Sequence, residues 1–255
     1  MSRWRLFWAL LGLAAFGFAA ATPYFAQFIR ALALKSGKAL PPLPIVLAGQ
    51  GFQVLLGCAL MIWAGLACRP RTGLSAPLLE QLVGERTDAP RLTSLLPRAL
   101  LWGTLGSFIV LGLHLALGAH LPDAMRLRTP DFGDQSRPLA ILIGASSLFY
   151  GGIVEELLMR WGLLALLMTL ALKLGAARGT SFWIANALTA LVFGAGHLPT
   201  ALQLGSGPVV IGYVIVANAC VGFICGALFR KRGLEQAMLA HGWADVCLHA
   251  VPMLL

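Results

Sequence analysis

The chain has 255 residues, of which 58% are hydrophobic and only 11% charged, and its formal net charge is +9. Its mean hydropathy of +0.81 leaves too little polar surface to cover a soluble globule of this size, so the composition excludes an ordinary soluble domain. The basic residues lie mainly between apolar stretches, and they therefore indicate membrane topology and not nucleic acid as a partner.

Apolar stretches of about 20 residues, enough to cross a hydrocarbon core roughly 30 Å thick, recur along the chain. They predict an all-α fold, a polytopic transmembrane helix bundle of about seven to eight spans around an intramembrane polar cavity. The predicted spans are 6–29, 44–67, 99–121, 138–171, 181–203, 208–229 and 234–254. The stretch 138–171 is too long for one straight crossing and carries Gly151 and Gly152 near its middle, which predicts a tilted, broken or divided element.

The N-terminal segment has two interpretations. Arg3 and Arg5 precede an apolar run that ends in three alanines, a pattern found in cleaved signal peptides and also in first transmembrane helices. The apolar character continues to Ile29, which favours a retained helix. A cytoplasmic N-terminus places the larger group of basic connecting residues, Arg69 and Arg230 among them, in the cytoplasm. This pattern predicts an integral protein with a cytoplasmic N-terminus.

The connection 68–98 carries leucines at near-helical spacing with Ser75 as a candidate N-cap, so it predicts an amphipathic helix along the cytoplasmic interface. Further along the chain, Gly222 and Gly226 form a G-x-x-x-G pattern, which predicts a close contact between two helices. The five cysteines are odd in number and include no C-x-x-C pair, which favours a packing role.

The first acidic residue inside a predicted span is Glu155. On a helix, Glu156 and Arg160 are four residues apart and share a face, so they are predicted to form a neutralising ion pair. Glu155 points about 100° away from Glu156, which leaves its carboxylate available for proton transfer. The alternative is a helix-packing network without chemistry.

Two further polar points follow in later spans. Phe193 lies one turn before His197 on the same face, and His241 lies one turn before Asp245. Ionisable groups in hydrocarbon are costly unless they face a bundle interior, so their repeated occurrence predicts one shared polar site. Along straight helices, however, His197 lies about 24 Å into its span whereas His241 lies near the start of its own. Their meeting therefore requires a late start, a tilt or a break at Pro199.

In order and spacing, the three segments match the motifs E-E-x-x-x-R, F-x-x-x-H and H-x-x-x-[N/D]. Over about 138–250 the chain thereby resembles the CPBP family, which comprises CAAX prenyl proteases and bacteriocin-processing intramembrane peptidases. The resemblance implies a helical bundle with a hydrophilic cavity and a peptidase activity. It also implies that Glu155 activates water with His197, while His241 and Asp245 stabilise the oxyanion.

Asp245 departs from many family members, which have asparagine there. A carboxylate donates to an oxyanion only when protonated, so either Asp245 holds a proton or it orients His241 as an imidazolium donor. The set Glu155, His197, His241 and Asp245 is also compatible with zinc. No H-E-x-x-H pattern is present, and the resemblance favours water activation without an obligatory metal.

The sequence thus predicts one integral membrane domain over 1–255. Residues 1–137 are predicted to supply N-terminal helices and the interfacial connector, and 138–255 the catalytic helices. The predicted activity is that of an intramembrane endopeptidase, with proton- or ion-coupled transport through the same residues as the alternative. A silent scaffold is a third reading. Among bacterial relatives the substrates are leader peptides, anti-sigma factors or C-terminal sorting signals, and the residue usage favours a bacterial inner membrane.

Overall fold

The computed structural model describes residues 2–36, 39, 41–125 and 136–250, and in this part of the chain there is no β-strand. The all-α fold predicted from the sequence is confirmed. The helices are α1 (Ser2–Ala20), α2 (Thr22–Ser36), α3 (Leu43–Thr72), α4 (Pro77–Leu82), α5 (Leu92–Leu117), α6 (Arg137–Ala145), α7 (Ser147–Phe149), α8 (Ala165–Lys173), α9 (Arg178–Gly196), α10 (Leu198–Ala201), α11 (Pro208–Arg232) and α12 (Leu234–His249).

Four of the described helical segments are long and apolar enough to cross a membrane: Leu43–Thr72, Leu92–His120, Arg178–Ala201 and Pro208–Arg232. They correspond to four of the predicted spans. The first predicted span is a bent pair, in which α1 and α2 meet at 49°, and counting this pair as one span gives five. Helix α12 has 16 residues, and the predicted end of its span at 254 lies outside the described residues. The total of seven to eight spans stays a prediction.

The predicted span 138–171 is broken. Helix α6 ends at Ala145, and the hydroxyl of Ser147 donates to the carbonyl of Gly144 at 2.7 Å, a side-chain bond that competes with the helical ladder. Wider π-helical turns occupy Tyr150–Glu155 and Leu157–Leu164, before α8 begins. The motif that carries Glu155 therefore lies in an irregular segment.

Close approach of α12 explains one of the glycines in this segment. A Cβ atom on Gly152 would lie 2.7 Å from the carbonyl oxygen of Met238 and 3.0 Å from the Cα of Gly242, which are closer than real contacts allow. Glycine is consequently required at 152 for the irregular segment to pack directly on α12.

The predicted G-x-x-x-G contact is present between α11 and α9. A Cβ on Gly226 would overlap the side-chain amide of Asn186, and one on Gly222 would lie 3.4 Å from the Cα of Ala190. The Asn186 Nδ2 donates to the carbonyl of Phe223 at 3.1 Å, so the amide fills the space that Gly226 leaves. These two helices pack with their backbones close together.

Substituting Gly226 with alanine is expected to destabilise the protein by about 1–3 kcal/mol, because the new methyl group displaces Asn186 from its hydrogen bond. Gly212 on the same helix is the matched control, since a Cβ there meets nothing within 4 Å. Gly212→Ala should leave stability unchanged or slightly higher. Unfolding of both variants in mixed micelles checks the difference, and equal stabilities would contradict this packing.

The connector packs against the start of α12. The backbone N–H of Leu234 donates to the carbonyl of Ser75 at 3.0 Å, and that of Leu79 donates to Glu235 Oε1 at 2.9 Å. The prediction of Ser75 as N-cap was wrong: Ala76 holds that position, with Pro77 as the first helical residue. Proline suits this position because it has no N–H to leave unsatisfied, and the Ser75 carbonyl binds α12.

Candidate active site

A buried ion pair supports the site. Glu156 and Arg160 are completely buried, and Arg160 Nη1 lies 3.1 Å from Glu156 Oε1. Arg160 Nη2 also donates to the carbonyl of Gly222 at 2.8 Å, and its guanidinium lies over the ring of Phe193, 5.1 Å from the centroid. Buried charges are tolerated when they are paired and hydrogen-bonded in this way. The sequence predicted this pair, and in the structure Glu156 also contacts His241.

Glu156 also fixes the orientation of His241. Its Oε1 lies 2.7 Å from His241 Nδ1, and because a carboxylate can only accept, Nδ1 carries the proton. The other ring nitrogen, Nε2, therefore faces Glu155. Asp245 Oδ1 lies 3.9 Å from Nε2, which is within ion-pair range but beyond hydrogen-bond distance, so the hydrogen bond that orients this imidazole comes from Glu156. Glu156 lies on the segment packed against α12 and orients His241 from there.

The carboxylate of Glu155 lies near two imidazoles. Its Oε2 is 3.6 Å from His241 Nε2, and its Oε1 is 3.9 Å from His197 Nε2. Its side chain is 18% exposed whereas that of Glu156 is 0% exposed, so the two neighbouring glutamates are in different environments. One is locked in an ion pair and the other faces an accessible space, as their angular separation predicted.

His197 reaches this carboxylate from the end of α9. The helix ends at Gly196, three residues before Pro199, and this is the break near Pro199 that the sequence analysis gave as one way for His197 to meet His241. His197 Nδ1 lies 2.8 Å from the carbonyl oxygen of Phe193; this contact places the proton on Nδ1 and turns Nε2 toward Glu155. The ring of Phe193 packs edge-on against both imidazoles, with centroids 4.8 Å from His197 and 5.5 Å from His241. It sets their spacing.

Asp245 completes what we call the polar cluster: Glu155, His197, His241 and Asp245. A Cβ atom on Gly151 would overlap Asp245 Oδ2, so glycine at 151 makes room for this carboxylate. The sequence assigned Gly151 only a part in breaking the helix. Its contact with Asp245 became visible only when α12 was packed against it. All four predicted residues therefore lie in one neighbourhood, although they come from three separate segments.

Cys225 adjoins the cluster and was missed by the sequence analysis, because a lone cysteine in an apolar helix carries no signal. Within the described ranges, Glu156, Cys225 and His241 are the one group of three whose potential metal-ligand atoms lie within 4.8 Å of one another, and all three are buried. Glu156 and His241 Nδ1 are already bonded to each other, and Arg160 adds a positive charge there. This donor set is a poor fit for a resident cation.

Comparison with protein families points to the same part of the chain as the site. Residues 137–247 match the family model described as Type II CAAX prenyl endopeptidase Rce1-like. The match includes the whole polar cluster and confirms the resemblance to the CPBP intramembrane proteases drawn from the three motifs. Together with the long apolar helices, it supports an integral membrane protease that acts on a membrane-associated protein or peptide. No curated protein and no solved structure was found to match the chain.

Proposed function

We propose that this chain, whose residues 137–247 match a family of CAAX prenyl endopeptidases, hydrolyses a peptide bond near the bilayer surface with water activated by Glu155. The observation that carries the proposal is the placement of the Glu155 carboxylate 3.6 Å from one imidazole nitrogen and 3.9 Å from another. An accessible carboxylate beside two imidazoles is suited to hold and deprotonate one water molecule.

In the first step, Glu155 accepts a proton from the water, and the oxygen of that water attacks the scissile carbonyl carbon. His197 holds the same water through Nε2, whose lone pair is free when the proton is on Nδ1. The proton on Glu155 then passes to the leaving amine as the carbon–nitrogen bond breaks. The products are a free carboxyl and a free amino terminus, and Glu155 returns to its starting form.

The negative oxygen that develops on the carbonyl needs a donor. His241 supplies one when Nε2 is protonated, because its Nδ1–H is already given to Glu156. Asp245, 3.9 Å from Nε2, favours the positive imidazolium electrostatically. In this scheme Asp245 acts through His241, which explains how aspartate can serve where many family members have asparagine.

The substrate is proposed to be a leader peptide, an anti-sigma factor or a protein with a C-terminal sorting signal, cleaved in a bacterial inner membrane. The N-terminus is proposed to be cytoplasmic, which agrees with the basic residues Arg230, Lys231 and Arg232 at the end of α11. Proton- or ion-coupled transport is the competing function, and it predicts no hydrolytic product.

A comparison of membrane proteomes tests the function. Cells that carry wild-type or Glu155→Gln protein are compared by enrichment of protein termini. Proteolysis predicts at least one membrane-associated protein whose new terminus is present with the wild type and missing with the variant. Identical termini in both membranes, together with an ion gradient that depends on Glu155, would replace the protease with a transporter.

We expect catalysis to need no resident metal. Prolonged dialysis of the purified protein against a strong chelator should leave its cleavage rate unchanged, because water activation is assigned to Glu155 and not to a cation. Metal analysis of the dialysed sample provides the control. A complete loss of cleavage that stoichiometric zinc restores would contradict this mechanism and assign the cluster as a zinc site.

A further inference from the structure

A third polar residue lies on the face of α12 that carries His241 and Asp245. His249 follows Asp245 by four residues, as Asp245 follows His241, so the three side chains project from one face of the helix. His249 lies about 6 Å further along the helix axis than Asp245. The catalytic scheme above uses the first two residues and leaves His249 without a role.

His249 contacts Tyr24 of α2. Their ring centroids are 5.4 Å apart with an interplanar angle of 56°, and both side chains are half-buried. Helix α2 packs against α3, α1 and α6 and bends away from α1. This contact therefore joins the N-terminal part of the chain to α12, the helix that carries His241 and Asp245.

The pair lies within electrostatic range of the polar cluster. His249 interacts with both cluster imidazoles, and Tyr24 interacts with the carboxylates of Asp245 and Glu155. In the described part of the chain, neither the Tyr24 hydroxyl nor a ring nitrogen of His249 has a hydrogen-bond partner. Two polar groups beside a catalytic site are thus available to a ligand.

An extended peptide that enters a bundle within lipid brings backbone carbonyl groups that need donors, because no water in the hydrocarbon can supply them. The phenol O–H and an imidazole N–H are such donors. His249 lies eight residues beyond His241, which faces the scissile carbonyl, and this is about 12 Å along the helix axis. An extended chain rises about 3.3 Å per residue, so this displacement corresponds to roughly three to four residues from the scissile bond.

We propose that Tyr24 and His249 form a subsite that binds a carbonyl or carboxylate oxygen of the substrate about three to four residues from the scissile bond. This inference rests on the proposed function. The shared chemistry is an oxygen acceptor. A backbone carbonyl and a free C-terminal carboxylate are its two sources, and the experiment separates them.

The probe is a synthetic peptide that spans the cleavage site found by the membrane comparison, and kcat and KM are measured with purified protein. Tyr24→Phe and His249→Phe keep an aromatic ring in place and remove only the donor. Each should raise KM by about threefold to tenfold, the value of one hydrogen bond, with kcat within about twofold. His249→Gln keeps an N–H donor and should recover most of the loss, and it replaces His249→Phe if that variant does not fold.

The matched control is Tyr213→Phe. Its hydroxyl is paired with His114 Nδ1 at 3.1 Å and not with a residue of the cluster, so its removal should leave KM unchanged. An unchanged KM in both donor-deleted variants, or an equal rise in the control, would overturn the subsite. Failure of the proposed function is distinguishable, because wild-type and Glu155→Gln proteins would then process the peptide alike.

The source of the oxygen is separated by two versions of the peptide that end about three or four residues after the scissile bond, one with a free carboxylate and one with a carboxamide. If the subsite binds a terminal carboxylate, the amide version has the higher KM with the wild type, and the difference disappears in His249→Phe. If the subsite binds a backbone carbonyl, both versions have the same KM with the wild type, and His249→Phe raises the KM of both. Both outcomes support the subsite.

Discussion

The Glu155→Gln protein is expected to fold and insert normally but to cleave its substrate about 10²–10⁴-fold more slowly than the wild type, the usual contribution of a general base. Glutamine has nearly the same shape, and its side-chain amide can still hydrogen-bond to a water molecule. It cannot take a proton from water. The loss should therefore fall on kcat, with KM little changed, because the substituted group acts on the reacting water and not on the bound peptide.

The matched control is Asp88→Asn, which makes the same acid-to-amide change on a side chain that is 83% exposed. It should leave both kinetic constants unchanged. The melting temperature of each variant is measured in the same detergent, so that loss of structure is separated from loss of chemistry. Full activity of folded Glu155→Gln protein would remove Glu155 from the mechanism.

The second large effect concerns stability. Arg160→Met is expected to destabilise the protein by about 3–5 kcal/mol, because Glu156 would remain as a buried charge without its partner. The variant should also lose cleavage, since Glu156 would no longer be held in place to orient His241. The measurement is unfolding in mixed micelles, followed by tryptophan fluorescence.

The double variant Glu156→Gln with Arg160→Met tests the physical reason. It removes both charges, so it should recover a large part of the stability that the single substitution loses. A double variant that is no more stable than Arg160→Met alone would show that the charge pair is not the source of the loss. In that case the packing of the guanidinium on Phe193 becomes the explanation.

Much of the site could be predicted from local rules. Helical periodicity placed Glu156 and Arg160 on one face and Glu155 on another, and the structure separates the two glutamates in this way. The cost of polar groups in lipid predicted that His197 and His241 would meet Glu155. These arguments succeed because they depend on spacing within one segment or on a strong solvation penalty.

Contacts between segments were beyond such rules. The bond from His241 to Glu156 depends on how α12 packs on the irregular segment, and spacing within α12 favoured Asp245 instead. The π-helical turns around Gly151 have no sequence pattern of their own. Ser75 has a side chain suited to an N-cap, but in the structure its carbonyl accepts a hydrogen bond from the backbone N–H of Leu234. In each case a distant partner decided the outcome.

The most direct test of the mechanism is an experimental structure of the Glu155→Gln protein with an uncleaved substrate peptide in lipid. The account predicts that the scissile carbonyl carbon lies about 3–3.5 Å from a water molecule held by residue 155 and His197. It also predicts that the carbonyl oxygen faces His241 Nε2. A side chain at 155 turned toward the acyl chains, or a peptide bound away from both imidazoles, would contradict it.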